Sequence, residues 1–567
     1  MKRFLSVLLV LTLFISICGC KSDEEADNVS TAEKEYPDYV VQTENPKFTD
    51  NNVFDIDVSK KYKELNSLYN NINLWYAGVP GTSEKYDVYD FTDYVQLMQC
   101  SGGAETRDLF KDPLDTTVLD DYDFTKLINA CRGIIEHGAK PFLKLGGVPL
   151  KYSKETANGD FSMNVYPPDD YNVYYEYIRA LTQALVDEFG KDEVLLWRFG
   201  VMTEFENKGW FMYPSGDPEQ TKIAYFKLYD YTVQALIDVL GDKVFVGAHA
   251  MACSEGMWDA ADFIKHAAQG TNYANGKKGS HICYLAASWY QAKAGQKQVD
   301  TSKTFIDTMN YLKENAQKYG LDDLIYGVDE GRILSGSIKG TQRSDLNNRM
   351  VGYTYQAAFD AKLYKEAMDM GVSYFSSWQF VIHDIPTVSY HIAKNTADFK
   401  GMNRVQVLHK EKSNFRMDWE TKTIAAYDEQ SKTLRIMAYN YQETLNKVQE
   451  LPLLLNIKAP QKSGKITITT KYVNDDCNYF DEWLEDKETY NISNDMFRWS
   501  PDDPGIQVFL ETADDELKNI YYEKMLPRYR EAATLVPKES TAEIKDGKLT
   551  INDTIDGNSV VFYEIKF

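Results

Sequence analysis

The chain has 567 residues, 43% hydrophobic and 26% charged, with a formal net charge of −23. That balance describes a globular protein long enough for two or three domains. Its acidity excludes a nucleic-acid partner, because phosphate binding needs clustered Lys and Arg. Beyond the N-terminal segment, Cys100, Cys131, Cys253, Cys283 and Cys477 form an odd, widely spaced set, read as buried and inert. They make no disulfide framework, and the seven histidines show no His-Glu-x-x-His spacing, so no metal and no cofactor is implied.

In chain order, Met1-Lys2-Arg3 is a short basic stretch, and Phe4 to Ile17 is an apolar run too short for a comfortable membrane span. It ends at Ile17-Cys18-Gly19-Cys20, where small residues precede a cysteine, as at a signal-peptide cleavage site. Ile-Cys-Gly-Cys also resembles a bacterial lipobox, which would make Cys20 a lipidated residue and the membrane a partner; an ordinary secretory signal is the alternative. The expectation is an exported, lipid-anchored protein of the bacterial cell envelope, displayed on its outer face. The polar, acidic segment from Lys21 to about Asn45 cannot bury enough surface to order itself and reads as a tether.

From Asn71 to Phe380 short apolar runs alternate with longer amphipathic stretches, the pattern of βαβ units around a parallel sheet. Eight strand candidates follow: Ile72–Ala77, Tyr94–Cys100, Lys140–Leu145, Val194–Phe199, Lys243–Ala248, His281–Ala286, Leu324–Val328 and Val372–Ser377. Helices lie between them. In Phe124–His137, Leu127, Ile128, Cys131, Ile134 and Ile135 share one face, and Gly138 closes the helix. Tyr171–Phe189 and Lys222–Leu240 are two more. Eight units of this kind predict an α/β (β/α)8 TIM barrel. An open doubly wound sheet is disfavoured, because no Gly-x-Gly-x-x-Gly follows the first strand.

After about Asp398 short alternating runs take over, among them Thr433–Asn440, Lys465–Tyr472 and Ser559–Lys566, separated by Asp, Asn, Gly and Pro. They predict an antiparallel β-sandwich, interrupted by one helix at Glu516–Tyr529. The chain thus divides into a leader (1–19), a tether (20–45), a barrel (46–397) and an accessory sandwich (398–567), with residues 52–58 a candidate strand of the sandwich.

Catalytic groups of such a barrel come from the C-terminal ends of its strands. Strand four ends in Arg198-Phe199-Gly200-Val201-Met202-Thr203-Glu204-Phe205-Glu206, and strand seven in Tyr326-Gly327-Val328-Asp329-Glu330-Gly331. Glu204 and Glu330 would face each other across the mouth. Two carboxyl groups are what glycosidic cleavage needs, one to protonate the leaving oxygen and one to meet the anomeric carbon.

At this point the chain resembles glycoside hydrolase family 39, which includes β-xylosidases and α-L-iduronidases. The family's Trp-Asn-Glu-Pro-Asn followed by Gly-Phe-Trp is matched by Met202-Thr203-Glu204-Phe205-Glu206 and Gly209-Trp210-Phe211. Ala139-Lys140-Pro141-Phe142-Leu143-Lys144-Leu145-Gly146 with Pro149 is similar to its third strand and loop proline. Glu193-Val194, Tyr225-Phe226-Lys227-Leu228-Tyr229 and Tyr472-Val473-Asn474-Asp475-Asp476-Cys477-Asn478-Tyr479 match in order and spacing. The resemblance implies Glu204 as acid/base and Glu330 as nucleophile of a retaining mechanism on an oligo- or polysaccharide. As acid, Glu204 would need a raised pKa, through walls such as Phe205 and Trp210 or the Glu330 charge. Arg198 is a candidate partner for an ionised Glu330.

The departures fall at sugar contacts. Thr203 stands in place of the family asparagine, Gln99-Cys100-Ser101-Gly102 replaces an Arg-x-His-Gly run, and Ser288 replaces a histidine. They motivate the alternatives of a glycan-binding barrel without turnover and of a non-hydrolytic enzyme using Glu204 as proton acceptor. Trp210, Trp289, Tyr290 and Trp378 fall at strand ends, where a ring can pack on the C–H face of a pyranose. With Thr203, Ser288 and His249 they are the candidate substrate contacts; His249 can equally bond the neighbouring loop.

Overall fold

The computed structural model describes residues 36–40, 52–75, 77–80, 85–252, 256–291, 304–333, 354–378, 380–382, 385–410, 419–442, 449–492 and 513–567. The leader, Cys20, most of the tether and Cys253 lie outside the described residues. The first strand, β1 (Asn52–Glu64), belongs to the second sheet. The next eight are β2 (Asn71–Leu74), β3 (Tyr94–Leu97), β4 (Lys140–Leu145), β5 (Arg198–Val201), β6 (Val246–Ala250), β7 (Tyr284–Gln291), β8 (Ile325–Ile333) and β9 (Tyr374–Ser377). They pair in parallel and in chain order, and β9 returns to β2 with Asn71 opposite Ser376, closing a (β/α)8-type barrel.

The outer layer is α1 (Thr125–Glu136), α2 (Tyr171–Phe189), the short α3 (Lys191–Val194), α4 (Pro218–Leu240), α5 (Ala260–Gln269), α6 (Phe305–Tyr319), α7 (Thr354–Met370) and α8 (Val388–Ala397). Between β2 and β3 the described residues hold a single 3₁₀ turn, Val88–Asp90, where a helix was expected. Helix ends follow local chemistry. The Asp217 side chain accepts from the Gln220 N–H at 2.8 Å, with Pro218 next in line, so α4 starts four residues before its expected position.

Strand four is displaced from its expected place. Val194 closes α3, and β5 begins only at Arg198. A continuous apolar run does not separate strand from helix by periodicity, and here Trp197 is wholly buried outside the barrel, 5.2 Å from Phe189 between ring centroids.

A short hairpin, β10 (Val381–Ile382) and β11 (Ile385–Pro386), precedes α8. The remaining strands are β12 (Asn403–Lys410), β13 (Trp419–Asp428), β14 (Thr433–Gln442), β15 (Leu451–Lys458), β16 (Gly464–Val473), β17 (Lys538–Ile544), β18 (Lys548–Ile555) and β19 (Ser559–Lys566). With β1 they form one nine-stranded sheet in the order β17-β16-β19-β14-β13-β12-β1-β15-β18. Its two edge strands are joined by the turn at Lys545–Lys548, so the sheet rolls back on itself over a core of Phe54, Ile56, Leu434, Ile436, Leu455 and Val561. The expected antiparallel sandwich needs one correction: β1 runs parallel to β15, with Phe54 beside Leu455, so the sheet is mixed. A strand arriving from before the barrel fills this slot between β12 and β15, and its direction is set by that entry.

The sheet is buried on both faces along β14. Leu434, Ile436 and Ala438 point into the rolled core, while Met437, Tyr439 and Tyr441 point into the core shared with the barrel. Period-two alternation makes this possible with apolar residues on both sides. Beyond β16, the expected helix is found as Asp515–Ile520, Tyr521–Met525 and Leu526–Ala532, the middle piece a π-turn. Pro527 has no N–H for the regular ladder, and a widened turn just before it accommodates that loss. A second helix, α9 (Phe480–Thr489), was not anticipated; Trp483 packs there with Tyr521, Met525 and Tyr529. No helix of the described residues is long and apolar enough to cross a membrane.

Candidate active site

Beyond β5 the chain turns sharply. Met202 and Glu204 both have positive φ, 65° and 43°, a conformation that costs a non-glycine residue on the order of 1 kcal/mol or more. The turn is held by Met202 N–H to the Leu145 carbonyl (2.6 Å), Phe205 N–H to the His249 carbonyl (3.1 Å) and Asn207 N–H to the Glu204 carbonyl (2.7 Å). Gly146, φ +111°, lets the neighbouring loop approach: a Cβ there would sit 2.8 Å from the Met202 nitrogen. Strain of this kind, over-determined by three hydrogen bonds, fixes the direction of the Glu204 side chain.

Glu204 is 9% exposed and accepts a 2.6 Å hydrogen bond from Asn207 Nδ2. Burial raises its carboxyl above the ordinary glutamate value; hydrogen bonds from Ser288 and then Asn207 work against that shift, and the Asp160 charge adds to it. The proton is thereby held on Glu204 to higher pH. Of the expected walls, Trp210 stands beside it, but Phe205 points outward and stacks on Tyr225 at 4.6 Å.

Glu330 owes its position to a β-bulge. Along β7 and β8 the register runs Ala287 to Val328 and then Ser288 to Glu330, leaving Asp329 as the extra residue. A bulge re-aims the side chain that follows it. Consecutive strand residues otherwise point to opposite faces; here Asp329 enters the barrel axis, fully buried, and Glu330 reaches the mouth, 8% exposed. Tyr290 donates its hydroxyl proton to Glu330, and Trp378 Nε1 donates to the Tyr290 oxygen at 3.3 Å. Donors to a carboxylate favour its ionised form.

The aromatic lining is larger than expected. Trp378 stacks on Trp75 at 4.4 Å, Phe161 lies 3.7 Å from Trp75, and Trp210 is 5.7 Å from Phe161. Trp75 directly follows the first barrel strand, β2, and Phe161 sits at positive φ (53°) in the loop after β4. Both were missed: Trp75 was read as strand, and Phe161 lies in a loop with no periodicity to mark it.

Other expected contacts are placed differently. On β7 the inward residues are Tyr284, Ala286, Ser288 and Tyr290, so Trp289 points outward between Phe305 and Phe359, buried in the helical layer. His249 and Ser288 do point inward but are fully buried, and His249 Nε2 lies 2.8 Å from Ser288 Oγ. They contact each other, and Ser288 also hydrogen-bonds the Glu204 carboxyl, so the pair supports that group from beneath the cleft and does not line its open surface. Burial, aided by the Lys144 charge, lowers the His249 pKa well below its usual value, so the ring is neutral. Thr203 is buried at the base of the turn. Arg198 is no partner of Glu330: it starts β5 at the opposite end of the barrel, its guanidinium 4.0 Å from the Tyr94 ring and 4.6 Å from that of Tyr374.

A further buried carboxyl, besides Glu204, Glu330 and Asp329, was overlooked. Glu206 is 2% exposed and accepts from the Met251 and Ala252 N–H groups at 2.8 and 3.0 Å. Burial raises it to about 7, against about 4.3 in an unfolded chain. Its contribution to stability is therefore fully present below about pH 4 and is lost as pH rises through 7. Thermal melts of Glu206→Gln, which does not titrate, are expected to decline less between pH 5 and pH 8.5 than those of the parent. Parallel curves would refute this. Among the described residues, no group of three or more His, Cys, Asp or Glu is placed to hold a metal ion.

A parallel barrel with two buried carboxyls at the ends of its fourth and seventh strands, walled by tryptophan, defines a protein built like the barrel glycosidases. The chain belongs to glycosyl hydrolases family 39, whose family model matches residues 108–500. It is 28% identical over 289 residues to a β-xylosidase of Geobacillus stearothermophilus, covering 48% of this chain and 51% of that enzyme. The chain thus spans about half the length of that curated relative. Among solved structures it is similar to a bacterial orthologue of human α-L-iduronidase, with a TM-score of 0.63 at 14% identity over 92% of this chain and 84% of that one. It is also similar to a monomeric β-xylosidase of Caulobacter crescentus CB15, with a TM-score of 0.61 at 15% identity over 91% and 99% of the two chains.

Proposed function

We propose that this protein is a retaining glycoside hydrolase in which Glu204 is the acid/base and Glu330 the nucleophile. The observation that carries the reading is the contrast between the two carboxyls. Burial favours the protonated form of Glu204, whereas Glu330 receives the Tyr290 hydroxyl, which favours its anion. Environments that push two carboxyls apart in this way assign acid and anion. In the first half-reaction Glu204 gives its proton to the leaving oxygen while Glu330 bonds to the anomeric carbon. In the second, Glu204 takes a proton from water, which displaces Glu330. Trp378, backed by Trp75, supplies an aromatic wall against which a sugar can pack, and family membership supports a glycan as substrate.

The test is the anomeric configuration of the first product released from a panel of aryl glycosides, followed by proton NMR. Retention is expected; inversion overturns the assignment. A second reading, sugar binding without turnover, is favoured by Thr203, whose buried hydroxyl has no hydrogen-bond partner among the described residues where the family has asparagine. Binding by a parent that hydrolyses none of the panel would support it. The lipobox-like Ile17-Cys18-Gly19-Cys20 supports lipid anchoring through Cys20 and display of the barrel at the bacterial cell envelope. Metabolic labelling with a fatty acid, lost in Cys20→Ala, checks this.

A further inference from the structure

Asp329, the bulge residue, is gripped from four strands. Its carboxylate is ion-paired with Lys144 of β4 and accepts from the Tyr374 hydroxyl of β9 at 2.6 Å. Its carbonyl accepts from Asn73 Nδ2 of β2 at 2.9 Å and from Gln96 Nε2 of β3 at 2.8 Å. The Lys144 and Asp329 side chains are wholly buried. The barrel makes room for the lysine: a Cβ on Gly200 would come within 2.7 Å of Lys144 Cδ.

A buried ion pair is weak as a source of stability, because its desolvation cost offsets most of its attraction. This one lies directly beneath the carboxylate read above as the nucleophile. We propose that Lys144 and Asp329 are a paired positioning device for Glu330: together they pin the bulge that turns it into the mouth, and Lys144 cancels the charge of Asp329 beside it. The proposal rests on the reading of Glu330 as nucleophile.

The physical need is plain. Two consecutive buried carboxylates repel, and without a cation they share a proton instead of both ionising. Lys144 lies close enough for its field to act on Glu330 as well as on Asp329, and Asp329 is the main influence keeping the ammonium charged against burial. The other groups facing the pair do not replace it. His249 Nδ1 is 3.9 Å from the Asp329 carboxylate but neutral, and Tyr284 and Tyr374 are phenols held protonated by burial. Cys100 is likewise a buried, protonated thiol, Tyr290 donates to Glu330 itself, and Glu204 is a carboxyl that can supply no positive charge.

The experiment compares Lys144→Met, Asp329→Asn and the double variant. Lys144→Met leaves an unpaired carboxylate beside Glu330, and the acidic limb of the kcat/KM profile is expected to move up. Asp329→Asn leaves an unpaired ammonium, and the limb is expected to move down, each by about half to one pH unit. Each single variant is expected to lose at least tenfold in kcat with KM within about threefold. The double variant, with no buried charge, is expected to regain the parent's limb and at least as high a melting temperature. The same ionisation is read without turnover from carboxyl-13C glutamate, the Glu330 signal being assigned by its loss in Glu330→Gln. A Glu330 titration that shifts oppositely in the two single variants of a protein that hydrolyses nothing would sustain the pairing and sink only the nucleophile reading. Single variants that merely lower melting temperature and rate together, with no opposite shift, would overturn the pairing.

Discussion

Glu330→Gln is expected to lower kcat on the preferred glycoside by on the order of 10⁴-fold or more, about 5.5 kcal/mol of barrel-mouth chemistry at 25 °C. The amide is nearly isosteric and still presents an oxygen to the Tyr290 hydroxyl, so the hydrogen bond from that side chain is retained. What disappears is the anion that forms the covalent bond to the sugar and, before that, stabilises the oxocarbenium-like charge. The loss therefore falls on kcat and on kcat/KM together, while ligand binding and melting temperature stay near the parent's. Steady-state kinetics with a melt of each preparation checks the expectation. A variant that keeps the parent's rate places the nucleophile elsewhere.

Glu204→Gln is expected to cost about 10²–10⁴-fold, the usual range for a positioned general acid, and the cost should depend on the leaving group. An aryl group that departs readily as an anion needs little protonation, so its first step survives; an alkyl or sugar leaving group does not. The pH profile carries a second signature. Burial holds the Glu204 carboxyl above its ordinary value, so the protonated, competent form persists below that raised pKa and is lost as pH climbs through it. The parent's basic limb reports this titration, and in the glutamine variant that limb should flatten. A basic limb unchanged in Glu204→Gln would assign the acid to another group, with Glu206, raised to about 7, the first to examine.

Much of the architecture could be read without coordinates, and the exceptions share a cause. All eight strand candidates overlap their observed strands, the fourth only at Arg198 and Phe199, because each is a short apolar run bounded by turn residues. Strand four slid because Val194 to Trp197 is apolar whichever way it folds, and only packing of Trp197 against Phe189 decides. The parallel placement of β1 beside β15 was hidden for a related reason. Register and direction depend on a partner about 400 residues away, and local pattern carries no information about it.

The same division runs through the site. Glu204 and Glu330 were legible because barrel chemistry gathers at strand ends and the surrounding motif has a family counterpart. Trp289 was misplaced because aromatic identity was read without the two-residue alternation that sends it outward. Lys144 could not have been singled out, since an isolated lysine in a strand reads as a solvated charge. The bulge that pushes Asp329 towards it is a register shift between β7 and β8, visible only once the strands are paired.

The sequence by itself determined the alternation of strand and helix, the change to short strands beyond Asp398 and the two carboxyls at the barrel mouth. These follow from residue periodicity and type, which act over a few positions. Only the tertiary structure decided which aromatic rings gather at the barrel mouth, that His249 and Ser288 turn to each other, and that a buried lysine sits under Glu330. Each is a contact between residues distant in the chain, fixed by closure of the barrel and not by any local preference.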